Sequence, residues 1–250
     1  MLQEAVGIPS LQAFHEAKLI CEVLGELKSG KEATVYCCRG HPETGVPLFA
    51  AKVYRDLQSR RFKNDAVYQE GRVIGDKRAG RAYANKSRFG KQVQFGCWIG
   101  REFEMLNRLY EAGADVPRPI SSADGGILME YVGKNGEEDA EPAPMLHTVA
   151  LPREQAGLLF EQVLRNIELF LDNNCIHGDL SKFNMMVRQG QITIIDFPQA
   201  VDPRSNSNAL MLLIRDLENV CRAFAPYGVE ADAMGMATDL WTRWQMGSLG

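Results

Sequence analysis

The stretch His177-Gly-Asp-Leu-Ser-Lys-Phe-Asn184, followed by Ile194-Ile-Asp-Phe-Pro198, decides the fold and the chemistry expected of this chain. Asp179 and Asn184 stand five residues apart in a polar loop, and Asp196 follows a run of β-branched residues. Phosphoryl transfer requires a carboxylate that orients a hydroxyl and accepts its proton, and oxygen ligands that hold magnesium. The stretch therefore predicts Asp179 as the catalytic carboxylate, with Asn184 and Asp196 as metal ligands.

Lys52 is a further candidate site residue, and it follows from the same motif. The stretch matches the protein-kinase signature, in which H-R-D-L-x-x-x-N precedes D-F-G. In that signature a strand lysine holds the nucleotide phosphates and pairs with a glutamate on a helix. Lys52 lies in the apolar run Leu48-Phe-Ala-Ala-Lys-Val-Tyr, which predicts a strand, so Lys52 is expected to contact phosphate.

Helical periodicity predicts the partner of Lys52. Over residues 98–111 one stripe recurs at helical spacing: Trp98, Glu102, Leu106 and Leu109. Because an unpaired buried charge is costly, Glu102 on that stripe is expected to pair with Lys52. The opposite face of the helix is predicted to be solvated, and it carries Glu104, Arg108 and Glu111.

The segment Lys28-Ser-Gly-Lys-Glu-Ala-Thr-Val-Tyr36 occupies the place of a glycine-rich phosphate loop but lacks G-x-G-x-x-G. Only Gly30 remains of the glycines. Backbone amides near Ser29 and Gly30, the Ser29 hydroxyl and the Lys31 ammonium can still cradle phosphate. We therefore predict Ser29, Gly30 and Lys31 as nucleotide-binding residues.

These motifs resemble the RIO family of atypical serine/threonine protein kinases, over about residues 25–225. The resemblance implies an α+β, two-lobed protein-kinase-like fold whose C-lobe lacks an activation segment. No Ala-Pro-Glu follows Asp196, in agreement with that expectation. The resemblance also implies ATP and Mg²⁺ as cofactors, with adenine bound by backbone groups at Glu130 and Val132.

The activity implied by the resemblance has two forms. RIO proteins are described as serine/threonine kinases that autophosphorylate, and as ATPases that form an aspartyl-phosphate at the metal aspartate. That aspartate corresponds to Asp196, which is therefore also a candidate catalytic residue. The family acts in ribosome biogenesis, while the protein substrate of this chain is not indicated by its sequence.

The expected organisation is an N-lobe at 1–130 and a mainly helical C-lobe at 131–250 that carries the catalytic and metal-binding loops. The N-lobe is predicted to contain a β-sheet, the glutamate helix and a basic, flexible insertion at about 56–95. Further helices are predicted at 153–174, about 206–225 and about 230–246. The buried side of the first of these is predicted to hold Leu158, Leu159, Val163, Ile167 and Phe170.

Charge is distributed unevenly along the chain. Residues 55–91 contain eleven Lys and Arg against four Asp and Glu, a local charge of +7 within a chain of net charge −4. Such asymmetry predicts a localised anion-binding surface, and RNA or a ribosomal particle is a candidate partner. A solvated, mobile loop explains the same composition equally well.

Two alternative functions are open at this point. A small-molecule kinase of the aminoglycoside or choline type also carries His-Gly-Asp…Asn followed by Ile-Asp-Phe, although only 54 residues follow Asp196. A nucleotide-switched RNA-binding module would use the basic segment. No apolar run is long enough to cross a membrane, and neither a secretion signal nor a CxxC pair is present. We therefore expect a cytoplasmic protein without a membrane partner.

Overall fold

The β-branched and aromatic runs of the N-terminal half form a sheet in the computed structural model, which describes residues 8–55, 88–134 and 141–249. The side chains of 88–98 are not described. The described residues form two compact units. The first contains 8–55, 88–104, 117–134 and 141–142, and the second contains 105–116 and 143–249. The lobe boundary predicted between residues 130 and 131 stays a prediction.

The sheet of the first unit has five antiparallel strands in the order β1-β2-β3-β5-β4. Their bounds are β1 Ile20–Ser29, β2 Ala33–Gly40, β3 Leu48–Tyr54, β4 Pro119–Ala123 and β5 Gly126–Glu130. The predicted sheet and its strand at Leu48–Tyr54 are confirmed, but the sequence carried no sign of β4, because its proline and serines show no alternating apolar pattern. A helix, α1 (Pro9–Glu16), buries Leu11 and Phe14 against one face of the sheet.

The central position of β3 explains the environment of Lys52. Lys52 lies opposite Val35 of β2 and Ile127 of β5, so it has a paired strand on each side. Successive side chains of a strand point to opposite faces, which places Lys52 and Tyr54 on one face and Val53 on the other.

The glutamate helix, α2 (Arg88–Glu111), begins ten residues before the predicted start at residue 98. The stripe that predicted this helix begins only at Trp98. A glycine inside a helix costs only about 1 kcal/mol relative to alanine, and Gly90 and Gly96 are both contained within α2. The predicted insertion at 56–95 is therefore helical from residue 88 onward, and its remainder at 56–87 lies outside the described residues.

Three helices and a β-hairpin form most of the second unit. The helices are α3 (Arg153–Asp172), α4 (Ala209–Phe224) and α5 (Ala233–Gln245), and the hairpin is β6 (Met185–Arg188) with β7 (Gln191–Ile194). The three helices agree with the sequence prediction. The placement of Leu158 on the buried side of α3 was wrong, since this residue is 64% exposed. Adjacent helical residues lie about 100° apart, and Leu159 takes the buried direction with Val163 and Phe170.

Arg108 also departs from its predicted environment. Glu104 and Glu111 are exposed as expected, but Arg108 is half-buried and its Nη2 lies 2.9 Å from the Met105 sulfur. The predicted solvated face is therefore interrupted at Arg108, because residues 105–111 of α2 belong to the second unit and contribute to its core. Leu106 and Leu109 belong to the core of that unit.

Among the described helices, none combines the length and the hydropathy needed to cross a membrane.

Candidate active site

A buried ion pair joins β3 to α2 in the first unit. Lys52 Nζ lies 2.8 Å from Glu102 Oε1, and the two residues are 8% and 7% exposed. The phenol of Tyr54 donates to the other oxygen of Glu102. Burial, followed by the charge of Glu102, raises the pKa of Tyr54 well above its ordinary value, so the phenol remains a donor. The predicted pairing of Lys52 with Glu102 is confirmed.

Tyr54 was missed by the sequence interpretation, although the signal was present. Side chains two residues apart on a strand share a face, so a residue two positions after Lys52 also meets the partner of Lys52. The Lys52 ammonium lies 5.1 Å from the Tyr54 ring centroid. Glu102 thus receives one charged and one neutral donor, which supports a carboxylate in a buried position.

The turn between β1 and β2 holds the residues predicted to cradle phosphate. Its backbone is fixed by a hydrogen bond from the Gly30 amide to the Ala33 carbonyl at 2.9 Å. Lys31 is exposed at the tip of the turn. The Ser29 hydroxyl lies 3.3 Å from that of Thr34, and it accepts a hydrogen bond from Arg55 Nη2 at 2.7 Å.

Arg55 therefore connects the turn to the residue that follows β3. Its amide donates to the Glu32 carbonyl at 2.9 Å, so backbone and side chain both contact the turn. Thr34 lies opposite Val53, which places the hydroxyl cluster on the sheet face opposite Lys52. The predicted contact between the Ser29 hydroxyl and a phosphate stays a prediction. Arg55 was missed because nothing in a lone arginine at a strand end marks such a contact.

The residues predicted to bind adenine are Glu130, the last residue of β5, and Val132, which follows shortly after it. The Glu130 amide donates to the Arg118 carbonyl at 2.8 Å, and its carboxylate accepts from the Arg118 amide at 3.1 Å. Tyr131 and Val132 are buried. The backbone of 130–132 is thereby fixed at the edge of the first unit's core, which suits recognition by backbone groups.

In the second unit, Asp179 and Asn184 close one loop. Asn184 Nδ2 donates to the Asp179 carbonyl at 2.8 Å, and the Asn184 amide donates to the Ser181 carbonyl at 2.9 Å. This bond uses the Nδ2 of Asn184 and leaves its side-chain oxygen for another contact. The Asn184 amide group is therefore held next to the Asp179 backbone.

Asp216 of α4 fixes the base of this loop. Its carboxylate is 1% exposed and accepts hydrogen bonds from the amides of Gly178 at 2.7 Å and Leu180 at 2.9 Å. Arg215 donates to the Gly178 carbonyl. Gly178 has a φ of 79°, which a residue with a side chain rarely adopts. The role of Asp216 as an acceptor emerged only from the fold.

His177 ties the loop to the segment that carries Asp196. Its Nδ1 accepts from the Asp179 amide at 3.3 Å, so Nε2 carries the proton and donates to the Ile195 carbonyl at 3.1 Å. The Ile195 amide donates to the Asn184 carbonyl at 3.0 Å. Asp196 has a φ of 75°, which costs about 1–3 kcal/mol for a residue that is not glycine. Such a conformation persists only where the surrounding structure fixes it.

Burial and two neighbouring charges act on the Asp179 carboxylate. Partial burial raises the pKa of Asp179 above its ordinary value, the Arg215 charge opposes that rise, and the Asp196 charge adds to it. Asp179 keeps contact with solvent, so its carboxylate is accessible to an incoming hydroxyl. A raised pKa makes this carboxylate a better proton acceptor once it is ionised.

The donors of this region suit magnesium. Asn184 and Asp196 offer an amide oxygen and a carboxylate, the hard ligands that Mg²⁺ prefers. The described residues contain no cluster of three or more His, Cys, Asp or Glu side chains that would form a complete cage. Magnesium usually binds to one or two protein oxygens and completes its octahedron with water and phosphate, so two donors are sufficient.

The predicted site residues thus assemble within each unit. Lys52 pairs with Glu102 in the first unit, which also contains the turn at 29–31 and the segment at 130–132. Asp179, Asn184 and Asp196 are connected by hydrogen bonds through their backbones in the second unit.

Comparison with known proteins gives a family match over most of the chain. A family model described as the RIO domain matches residues 34–236. The chain is 32% identical over 206 residues to the serine/threonine-protein kinase RIO1 of Caenorhabditis elegans, covering 82% of this chain and 37% of the relative. It is 31% identical over 208 residues to a RIO-type serine/threonine-protein kinase, Rio1, of Haloferax volcanii, covering 83% and 65%.

The fold has a counterpart among solved structures. The crystal structure of a Rio2 kinase–ADP/Mg²⁺–phosphoaspartate complex from Chaetomium thermophilum matches with a TM-score of 0.66 and 22% identity. The match covers 93% of this chain and 64% of that one. The chain therefore spans between about a third and two thirds of the length of these relatives.

Proposed function

Since the chain belongs to the RIO domain family, we propose that it is an ATP- and magnesium-dependent phosphotransferase of the RIO serine/threonine-kinase type. The proposed reaction moves the γ-phosphoryl group of ATP to a protein hydroxyl, with autophosphorylation as the simplest case. ADP is the other product.

The observation that carries this proposal is the buried Lys52–Glu102 pair. Lys52 is only 8% exposed, and stability alone does not explain a charged side chain in such a position. Replacing a buried ion pair by apolar residues often leaves the stability of a protein unchanged or increases it. Its retention is explained if Lys52 binds the anionic phosphates and Glu102 fixes the position of the ammonium. The relatives named as kinases support the same reading.

Each site residue then has a role in the transfer. Asp179 orients the acceptor hydroxyl and takes its proton as the oxygen attacks the γ-phosphorus. Asn184 and Asp196 hold Mg²⁺, which when bound neutralises charge on the phosphates. Lys52 binds phosphate oxygens, and the backbone at Gly30 and Lys31 covers them. The backbone at Glu130 and Val132 binds adenine.

Asp196 has a second proposed role as a phosphate acceptor. Attack by its carboxylate oxygen on the γ-phosphorus would release ADP and leave an acyl phosphate, which water then hydrolyses to give net ATPase activity. The solved Rio2 complex is described as containing phosphoaspartate. The strained φ of Asp196 supports this role, because strained backbone is concentrated at functional sites.

Three further predictions stay open. Transfer to a small alcohol, as in aminoglycoside kinases, has no specific support beyond the shared motif. RNA or ribosomal-particle binding through 55–91 rests on residues that mostly lie outside the described part of the chain. A cytoplasmic location is proposed from the sequence alone.

Incubation with γ-labelled ATP and Mg²⁺, followed by mapping of the label, tests the proposal. Label on serine or threonine supports kinase activity, while hydroxylamine-labile label on Asp196 supports the acyl-phosphate route. Fast transfer to a small alcohol with none to protein would reject the protein-kinase assignment. The absence of both transfer and ATP hydrolysis would reject the proposed function as a whole.

A further inference from the structure

Phe183 is an exposed aromatic residue inside the loop proposed to be catalytic. Its side chain is 51% exposed, whereas the next residue, Asn184, is buried. A single exposed apolar side chain on a protein surface needs no explanation. This one differs because it lies in the turn that the Asn184–Asp179 hydrogen bond closes, next to the proposed catalytic carboxylate.

The Phe183 ring is held in place by two neighbours. The His147 ring packs against it with 4.6 Å between centroids and a tilt of 51°. The Lys182 ammonium lies 5.5 Å from the ring centroid. His147 Nδ1 also lies 3.4 Å from the Lys182 carbonyl oxygen. We call His147, Lys182 and Phe183 the loop platform.

The platform is anchored from below. His147 lies in the short 3₁₀ turn Leu146–Thr148, in which Leu146 is buried in the core of the second unit. Met145 forms a β-bridge with Met186, directly after the loop. The exposed ring therefore stands on a fixed base, which lowers the entropy lost when a ligand packs on it.

We propose that the loop platform is the acceptor-recognition surface of this phosphotransferase, and that it binds protein segments carrying an apolar side chain, accompanied by an acidic residue, beside the acceptor hydroxyl. This inference rests on the proposed function. The apolar side chain would pack on the Phe183 ring, and the acidic residue would pair with Lys182.

Charge favours a protein segment over a nucleic acid as the occupant. The charge of Asp196 acts on Asp179, and both residues are near the platform in the chain. These carboxylates would repel a polyphosphate backbone. In the sequence, the positive charge is concentrated at 55–91, and the remainder of the chain carries −11.

Position also favours recognition of the acceptor rather than of ATP. Asp179 and Asn184 have proposed roles in the reaction, and Ser181 closes the turn through its carbonyl. Residues 182 and 183 have no such role, and both are exposed. Their side chains are thus available to contact whatever approaches Asp179 from solvent.

A degenerate peptide library with one central serine or threonine, incubated with labelled ATP and Mg²⁺, tests the proposal. We expect the wild-type chain to enrich peptides with an apolar residue near the acceptor by about five- to ten-fold over glycine. Phe183→Ser should abolish that enrichment. The wild type should also prefer peptides with an acidic residue near the acceptor, and Lys182→Ser should abolish this preference alone. Enrichment is measured relative to the total phosphate that each variant incorporates, so it does not depend on overall rate.

Leu158→Ser is the matched control, because Leu158 is an exposed apolar residue on α3, outside the loop. This variant should keep the wild-type selection. Equal enrichment in wild type and Phe183→Ser would overturn the proposal, as would ATP hydrolysis without any peptide phosphorylation. Binding of a single-stranded RNA oligonucleotide that Phe183→Ser abolishes, without peptide selection, would assign the platform to RNA instead. Complete inactivity of the wild-type chain would reject the proposed function itself.

Discussion

Lys52 and Glu102 form an ion pair with 2.8 Å between Nζ and Oε1, although fifty residues separate them and both are buried. Lys52→Met keeps the approximate length of the side chain but removes the charge. We expect phosphotransfer to fall at least about 100-fold, as when one charge-stabilising donor is removed from an active site. Labelled-ATP transfer measures the activity, and circular dichroism checks that the protein is folded. Transfer at the wild-type rate would exclude Lys52 from the site.

Glu102 and Glu104 provide a matched pair on one helix. Glu102→Ala should lower activity, because it removes the carboxylate that fixes the position of the Lys52 ammonium. It should also destabilise the protein by about 3–5 kcal/mol, the usual cost of breaking a buried pair. Glu104→Ala should change neither property, since Glu104 is exposed. Transfer assays and urea unfolding distinguish the two variants, and equal losses would contradict this assignment.

Alanine substitutions at Asp179 and Asp196 are expected to affect different steps of the reaction. Asp179→Ala should abolish transfer to hydroxyls and leave nucleotide binding largely intact, because a base acts mainly in the transition state. Asp196→Ala should also weaken binding of Mg²⁺–ATP, since it removes a metal ligand. Calorimetric titration of Mg²⁺–ATP into each variant measures the difference.

Chemical lability adds a second test of Asp196. Any hydroxylamine-labile label in the wild type should disappear in Asp196→Ala. If instead Asp196→Ala binds Mg²⁺–ATP as tightly as the wild type while Asp179→Ala does not, the two roles must be exchanged.

Asp216 should make stability depend on pH. Burial raises its pKa from 3.8 to about 7, against the opposing effect of the hydrogen bonds from Leu180 and Gly178. Between these values the folded state binds more protons than the unfolded state, so this group's contribution to stability falls as pH rises from about 4 to about 7. Asp216→Asn lacks that dependence. Urea unfolding at several pH values should show wild type losing on the order of 1–4 kcal/mol relative to the variant.

Replacement of Asp216 by alanine should affect catalysis only indirectly. Asp216 contacts the Gly178 and Leu180 amides and not the proposed substrates. Asp216→Ala removes the carboxylate that accepts from both amides, and it should lower kcat more than it raises KM for ATP.

The pH prediction for Asp216 is contradicted if the free energy of unfolding changes with pH in the same way in wild type and in Asp216→Asn between pH 4 and 7. That result would show that Asp216 does not titrate in this range.

Arg55 is expected to position the turn between β1 and β2. Removing its hydrogen bond to Ser29 should raise KM for ATP by about three- to ten-fold in Arg55→Met. Ser29→Ala added to that variant should cause little further loss, because both changes break one interaction. Arg39→Met is the control, since Arg39 is an exposed arginine of the same sheet that pairs with Glu22. Additive effects of the Arg55 and Ser29 changes would exclude the coupling.

Local patterns predicted much of the site because they act over short distances. The spacing within 177–184 places Asp179 and Asn184 in one loop whatever the rest of the chain does. Helical periodicity similarly determined that Glu102 faces inward and Glu104 outward. It was less reliable at helix ends, where α2 begins at Arg88, and between neighbours such as Leu158 and Leu159.

The sequence by itself determined the family and the fold class, and it identified candidate residues for phosphoryl transfer. Only the tertiary structure decided how those residues are held. The Asp216 carboxylate meets the amide of Gly178 across 38 positions, and Arg55 meets Ser29 across 26. Arg108 became half-buried because the last turns of α2 pack into a core built by distant segments. Periodicity sets the direction of a side chain relative to its own helix or strand, but its partners depend on which distant segments pack beside it.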